Sequence, residues 1–124
     1  MGEIALYLLL VWSTTHRLLP MKVTAYCPCE KCCGQWASIG HDVQGHRITA
    51  CGHVIATKNV FIAAPRIFAY HTKMIVPGYN NSLPVEVLDR GGAIKGNRID
   101  VYFPTHEEAL QWGVRYLWVD VIIQ

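Results

Sequence analysis

Two aspartates, Asp89 and Asp100, stand at the ends of a glycine-rich segment that alternating apolar residues flank on both sides. A period of two is typical of β-strands, so the pattern predicts one strand ending at Asp89 and a second running through Asp100. In the second strand Asp100 and Tyr102 share the face opposite the apolar residues, which are Ile99, Val101 and Phe103. The connection has glycines that permit positive φ values and close backbone approach, namely Gly91, Gly92 and Gly96. The two carboxylates can therefore fold back towards each other, although Asp is also an ordinary turn residue and such a pair is weak evidence alone.

Short apolar segments bounded by turn residues recur along the rest of the chain. They predict further strands, at 21–26, 60–64, 73–76 and 116–122, and a turn at 80–82. Thr105 and Glu108 form a capping box, so we expect a helix over 107–112 that Gly113 ends. Asp120, inside the last strand, is a candidate buried carboxylate. Six or seven short strands with a single helix favour a mainly β fold that closes into a small barrel.

Size and charge narrow the class of protein. A chain of 124 residues forms one domain, and 52% hydrophobic against 16% charged residues indicates a well-packed core. A formal net charge of +2, without a basic run interleaved with aromatic residues, argues against nucleic-acid binding. We also expect a monomer.

The beginning of the chain carries an apolar run, residues 4–12, which is shorter than the roughly 20 residues that a spanning helix needs. We therefore predict no stable membrane insertion. The run has the length of a signal-peptide core, but Glu3 precedes it without a Lys or Arg, and no clear cleavage site follows. Residues 1–20 are thus either a signal-like segment or an element packed on the domain, and residues 21–124 form the barrel domain.

Four of the five cysteines lie within one short segment, at positions 27, 29, 32 and 33. Disulfides, with Cys51 as a further partner, are the favoured interpretation, ahead of reduced structural thiols. A zinc or redox centre is the third interpretation, because zinc ribbons usually place their two cysteine pairs far apart in the sequence. The thiols concerned are Cys27, Cys29, Cys32, Cys33 and Cys51. Nearby histidines have spacings that match no standard metal motif and are expected at the surface, namely His41, His46 and His53.

Four segments occur in the order seen in the three-aspartate, or 3D, domain family. They are Thr24-Ala25-Tyr26, Thr49-Ala50-Cys51-Gly52, the block from Asp89 to Asp100, and Glu108-Ala109-x-x-Trp112-Gly113. The chain resembles this family from about Met21 to Ile123, and the aspartate block is the most specific part. The resemblance implies a six-stranded double-psi β-barrel with one or two short helices. This barrel is related to that of A-type lytic transglycosylases and other cell-wall lytic proteins.

Such enzymes cut the MurNAc-β-1,4-GlcNAc bond of peptidoglycan and leave a 1,6-anhydro-MurNAc end. Because the substrate's own C6 hydroxyl is the nucleophile, a single acid/base suffices. The resemblance implies that Asp100 is this acid/base and that Asp89 stands beside it in the catalytic site. Expected substrate contacts are Tyr26, Lys95, Tyr102, Arg90, Gly91 and Gly92. The resemblance also implies peptidoglycan strands as the partner and a location in the bacterial envelope, outside the cell, or in a phage lysin that acts on the wall. We expect no cofactor and no metal.

Three positions depart from the family pattern. Ala64 stands where the first aspartate is expected, His71 replaces a glycine, and Arg90 follows Asp89 in place of a threonine. A glycan-binding barrel without turnover is therefore the alternative function, with a cysteine-based metal or redox module as a second alternative. Tryptophans offer either stacking platforms for sugars or core packing, namely Trp36, Trp112 and Trp118.

Overall fold

The computed structural model describes residues 15–28, 48–55 and 60–123. The strands are β1 (Thr15–Tyr26), β2 (Ile62–Ala63), β3 (Lys73–Ile75), β4 (Val85–Asp89), β5 (Arg98–Tyr102) and β6 (Arg115–Ile123). The described part also has one helix, α1 (His106–Trp112), and a 3₁₀ turn (Asn80–Ser82). Several sequence predictions concern positions outside the described residues, namely 1–14, Cys29, Cys32, Cys33, Trp36, His41 and His46.

The six strands close into a barrel in the order β1-β5-β2-β4-β3-β6, with β6 pairing back onto β1. The pairs β1–β5 and β2–β4 are parallel, and the other neighbours are antiparallel. Parallel neighbours cannot be joined by a tight hairpin, so each of these two pairs is linked through intervening segments of the chain. The predicted fold class, a mainly β six-stranded barrel, is confirmed.

Strand β1 begins earlier than the sequence indicated. We predicted a strand from Met21, but β1 starts at Thr15 because its first half pairs with β6, from Thr15 opposite Ile123 onward. Pro20 lies inside this extension, before β1 gains β5 as a second neighbour at Lys22. Proline is tolerated on such an edge, where a missing N–H costs no ladder bond. The strand therefore crosses the predicted boundary between residues 20 and 21.

Alternate residues of the strands point inward and form the core. The members of this buried cluster include Met21, Val23, Ile62, Met74, Val87, Ile99, Val101, Val119 and Val121. Trp112 of the helical segment 106–112 packs into this cluster, and its indole N–H donates to the Val23 carbonyl at 3.2 Å. Of the two described tryptophans, Trp112 is thus a core residue, whereas Trp118 is 62% exposed.

The outer face of β5 packs differently from its inner face. Tyr102 belongs to a second buried cluster with Phe61 and Leu88, separate from the barrel interior. The predicted alternation along β5 is therefore confirmed, with Ile99 and Val101 inside and Tyr102 outside. A large side chain buried on the outer face means that part of the barrel wall is covered by other segments.

Helix α1 begins and ends as its sequence predicts, within one residue. Thr105 is the N-cap: its hydroxyl oxygen accepts from the Glu108 N–H at 3.2 Å and its O–H donates to the Glu108 carboxylate at 2.8 Å. Gly113 follows the helix at φ 67°, a left-handed conformation that favours glycine. Glu107 and Glu108 therefore serve the helix N-terminus. The described part of the chain contains no helix with the length and apolar character needed to cross a bilayer.

Thr105→Ala should lower the free energy of unfolding by about 1 kcal/mol, because the Glu108 N–H loses its acceptor. Urea denaturation of the purified protein measures the effect. Thr105→Ser retains the hydroxyl and should stay within about 0.5 kcal/mol of the parent. An alanine variant as stable as the serine variant would contradict the capping role.

Candidate active site

Asp100 lies in the middle of β5 on the outer face of the barrel. Its strand neighbours are Thr24 of β1 and Ala63 of β2. The side chain is 14% exposed, and its Oδ1 is buried with no hydrogen-bond partner among the described residues. The nearest cationic atom is Arg98 Nη2 at 3.8 Å from Oδ1, too far for a hydrogen bond. Asp100 is thus a poorly solvated carboxyl group that opens onto the surface.

Burial raises the pKa of Asp100 from 3.8 to about 6, because the carboxylate loses water that the protein does not replace. Arg98 opposes this shift by attraction, and the charge of Asp89 adds to it by repulsion. The upward shift of the pKa agrees with the absence of a hydrogen-bond partner at Oδ1 within the described ranges. A carboxyl group with this pKa keeps its proton in weak acid and releases it near neutrality, as a general acid/base must.

Both carboxylate oxygens of Asp89, at the end of β4, accept hydrogen bonds. Its Oδ2 accepts the Tyr26 hydroxyl at 2.6 Å, and its Oδ1 accepts the N–H groups of Ala50 at 2.8 Å and Arg90 at 2.9 Å. Ala63 of β2 pairs with Asp89 on one side and with Asp100 on the other, so the two carboxylates fold back towards one site, as the sequence suggested. Their environments differ, since Asp89 is held by donors and Asp100 is not.

The Thr49–Gly52 segment is a turn that lies against Asp89. The Gly52 N–H donates to the Thr49 carbonyl at 3.0 Å, and Gly52 adopts φ 89°. The buried Thr49 hydroxyl accepts the His53 N–H at 3.2 Å and lies 3.4 Å from Cys51 Sγ. This geometry presents the Ala50 N–H to Asp89, so the carboxylate joins the turn to the barrel.

An aromatic stack forms the wall beside the two carboxylates. Tyr102 stacks on Phe61 with ring centroids 4.3 Å apart, and Tyr26 meets Tyr102 edge to face at 5.6 Å. Tyr102 is only 2% exposed, so it contributes to the packing of the wall, and its role as a sugar contact stays a prediction. Tyr26 is half-buried, with its hydroxyl committed to Asp89.

The glycine-rich connection carries the other predicted substrate contacts. Gly91 is necessary for packing, because a Cβ there would lie 2.9 Å from Ile94 Cγ1. Gly92 and Lys95 are exposed, and Gly96 adopts φ 66°. The segment therefore forms an accessible rim next to β5, where contacts with a ligand remain a prediction for Gly91, Gly92 and Lys95.

Arg90 binds the segment that follows β2. Its guanidinium donates to the carbonyls of Phe68 at 2.6 Å and Ala64 at 3.2 Å, and it lies 4.1 Å from the centre of the Tyr70 ring. Two of the departures from the family pattern, Ala64 and Arg90, are therefore in contact. The third, His71, holds the φ of 72° that a glycine would adopt more easily, and its Nδ1 lies 2.9 Å from Glu86 Oε2.

Two of the five predicted thiols lie within the described residues. Cys27 is buried, with Sγ 3.7 Å from His106 Nδ1, and Cys51 is half-buried. These two cysteines are not bonded to one another. Across residues 15–28, 48–55 and 60–123, no three metal-ligating side chains come together. The disulfide and metal interpretations both depend on Cys29, Cys32 and Cys33 and stay predictions.

Sequence reasoning missed two members of the site, Arg98 and Thr24. Arg98 lies two residues before Asp100, so the same alternation that placed Asp100 outside also placed Arg98 there. Its Nε donates to the Thr24 hydroxyl at 3.3 Å. Thr24 belongs to one of the family segments, but its place beside Asp100 depends on the parallel pairing of β1 with β5.

The fold and the site define a class: a closed six-stranded β-barrel with a buried acid on the outer face of β5 and a donor-bound aspartate beside it. The chain belongs to the 3D domain family, whose model matches residues 60–124. That match covers β2 to β6 and both aspartates. The resemblance seen in the sequence is confirmed.

Two curated proteins of Bacillus subtilis (strain 168) are similar to this chain. The cell wall-binding protein YocH is 38% identical over 63 residues, which is 51% of this chain and 21% of the relative. The protein named "Putative cell wall shaping protein YabE" is 27% identical over 110 residues, or 88% of this chain and 24% of the relative. The matched regions span about a fifth to a quarter of these relatives.

Proposed function

We propose that this barrel acts on peptidoglycan as a lytic transglycosylase that cleaves the MurNAc-β-1,4-GlcNAc bond with Asp100 as acid/base. The observation that carries the proposal is the state of Asp100, which is nearly buried, has no hydrogen-bond partner at Oδ1 among the residues that the structure describes and has a pKa raised to about 6. Membership of the 3D family and the wall-related names of YocH and YabE support peptidoglycan as the substrate class. The same relatives support a cell-envelope location.

The chemistry needs one carboxyl group that changes roles. Protonated Asp100 gives its proton to the glycosidic oxygen as the bond from that oxygen to C1 breaks. The C6 hydroxyl of the same MurNAc then attacks C1, and its proton returns to Asp100. The products are a GlcNAc-terminated leaving strand and a 1,6-anhydro end, and Asp100 is restored without water being consumed.

Asp89 supports this scheme better than a hydrolytic one. A retaining hydrolase needs a second carboxylate that is free to attack the sugar, and an inverting one needs a carboxylate that activates water. Both oxygens of Asp89 already accept from protein donors. Asp89 therefore positions the turn and the wall and raises the pKa of Asp100.

A glycan-binding barrel without turnover is the second candidate. Ala64, which replaces the first aspartate of the family, is fully buried, and its carbonyl accepts from Arg90 instead. The name of YocH, a cell wall-binding protein, also describes binding.

Digestion of purified sacculi tests the proposal, with soluble products identified by mass spectrometry. The parent protein should release anhydro-muropeptides, Asp100→Asn should release none, and Glu86→Gln should match the parent. Glu86 is the matched control because it is a half-buried carboxylate on β4 that faces His71. Products with reducing ends would mean a hydrolase. Absence of products with retained binding to sacculi would favour the second candidate.

Lytic activity should fall as pH rises through about 6, because only protonated Asp100 can protonate the leaving oxygen. Well above that pH the rate should drop by about tenfold per unit. Release of anhydro-muropeptides between pH 4 and 8 measures the profile, with binding to sacculi followed in parallel. A rate that stays flat to pH 8 would contradict an acid role for Asp100.

A further inference from the structure

The outer face of the β1–β6 ribbon exposes a group of large apolar side chains. Tyr116 is 77% exposed, Trp118 62% and Leu18 63%, and Pro20 beside them is exposed as well. We call these four residues the ribbon patch. Contiguous exposed apolar groups of this kind mark binding surfaces more often than isolated ones do.

Strand pairing places the patch on one face. Trp118 lies opposite Pro20, Tyr116 lies opposite Lys22, and Leu18 lies opposite Asp120. The alternate residues of β6 that point inward, Val119 and Val121, are buried in the core. The inner face therefore anchors β6 in the barrel, and packing does not require aromatic rings on the outer face.

The patch is continuous with the candidate active site. Lys22 pairs with Tyr116 on one side and with Arg98 on the other, so one row of residues crosses β6, β1 and β5. Asp100 lies two residues further along β5 on the same face. Two strand spacings of ~4.8 Å and a rise of ~3.3 Å per residue put the patch about 10–20 Å from Asp100 along the surface.

We propose that the ribbon patch is a second binding site for the glycan strand, a few sugar units from the bond that Asp100 cleaves; this inference rests on the proposed function. The axial C–H groups of pyranose rings carry partial positive charge and stack on the negative faces of Tyr and Trp rings. Lys22, between the patch and Arg98, matches the carboxylates of the peptides that peptidoglycan carries. The site would hold the strand in register across the cleavage site.

A second copy of the chain fits the patch less well. Four side chains fall short of the roughly 800 Å² that each partner buries in a stable interface. The patch is also bordered by polar groups that a dry interface would have to bury, namely Lys22 and the His16–Asp120 pair, whose atoms lie 2.8 Å apart. A glycan, which has both hydroxyl groups and apolar ring faces, suits this mixed surface.

Co-sedimentation with intact sacculi tests the patch. The double variant Tyr116→Ala/Trp118→Ala should bind at least about tenfold more weakly, because it loses two stacking platforms. Tyr116→Phe/Trp118→Phe keeps the rings and should bind within about threefold of the parent, near 0.6 kcal/mol. Leu110→Ala, which removes a 66% exposed leucine from α1, should bind as the parent does. Since the changed residues are exposed, thermal melting verifies that each variant is folded.

The outcome separates this inference from the proposed function. Weaker binding of the alanine variant supports the patch even if the parent releases no anhydro-muropeptides. Parent-like binding of that variant would overturn the patch even if Asp100 proves catalytic. Sedimentation velocity on the free protein adds a further criterion: a dimer that the alanine variant abolishes would assign the patch to a second copy and overturn the proposal.

Discussion

Asp100→Asn should stabilise the folded protein by up to about 3 kcal/mol near pH 7.5 and should change its stability little near pH 3.5. In the folded state burial raises the pKa of Asp100 to about 6, against 3.8 for an unperturbed Asp. A difference of about two units at ~1.4 kcal/mol per unit gives this magnitude. Because the folded protein binds the proton more tightly than the unfolded chain does, the Asp100 contribution is fully present below pH 3.8. It is lost as pH rises through about 6.

Urea denaturation of the parent and Asp100→Asn at both pH values measures this dependence. Asparagine has the shape of the protonated acid and carries no charge. At high pH it therefore replaces a buried carboxylate with a neutral group, whereas at low pH it replaces one neutral group with another. Asp120→Asn is the matched control: its Oδ1 is also buried without a hydrogen-bond partner in the described part of the chain, but its Oδ2 lies 2.8 Å from His16 Nδ1, so the substitution should not raise the free energy of unfolding. If Asp100→Asn raised the free energy of unfolding equally at both pH values, or did not raise it at pH 7.5, the carboxylate of Asp100 would not be buried and destabilised.

Asp89→Ala should lower the free energy of unfolding by about 3 kcal/mol. The substitution removes acceptors from the Tyr26 hydroxyl and from the N–H groups of Ala50 and Arg90. Hydrogen bonds to charged groups contribute about 1.5–3 kcal/mol each, but Ala50 is exposed and water can replace part of the loss. The Thr49–Gly52 turn should also separate from β4, which amide hydrogen exchange at Ala50 would report.

The variant Asp89→Asn separates the two roles of Asp89, which are to accept hydrogen bonds from the turn and to carry a negative charge near Asp100. Its amide oxygen can still accept the two backbone N–H groups, so it should retain more stability than the alanine variant, while the negative charge is gone. Without that charge the pKa of Asp100 should fall, since repulsion from Asp89 helps to raise it. Glu86→Ala, on the same strand, removes a partly exposed ion pair with His71 and should cost less than about 1 kcal/mol. If Asp89→Ala costs no more than Glu86→Ala, Asp89 does not anchor the turn.

Local sequence patterns predicted the second half of the chain well. Strands β3 to β6 and α1 lie within one to two residues of their expected positions, because alternation and helix caps act over short distances. The Asn80–Ser82 turn also formed as expected, with three residues at positive φ, a conformation that Asn tolerates. The position of Asp100 on the outer face of β5 followed from the same alternation.

Contacts between distant segments could not be read from the sequence. The contact of Tyr26 with a sugar stays a prediction, and no local pattern indicated that its hydroxyl bonds to Asp89, 63 residues away. The Ala50 N–H likewise reaches Asp89 only because a turn folds against the barrel. Arg90 and Ala64 stood out as separate departures, and only the fold brings them into contact. The early start of β1 also depends on a distant partner, β6.

The carboxyl ¹³C resonance of Asp100, titrated by NMR and assigned by its loss in Asp100→Asn, tests most directly whether this group is an acid poised for catalysis. A midpoint of about 6 is expected in the parent, with a lower midpoint in Asp89→Asn. A midpoint near 4 in the parent, unchanged in Asp89→Asn, would contradict both the burial of the Asp100 charge and its proposed role as the proton donor.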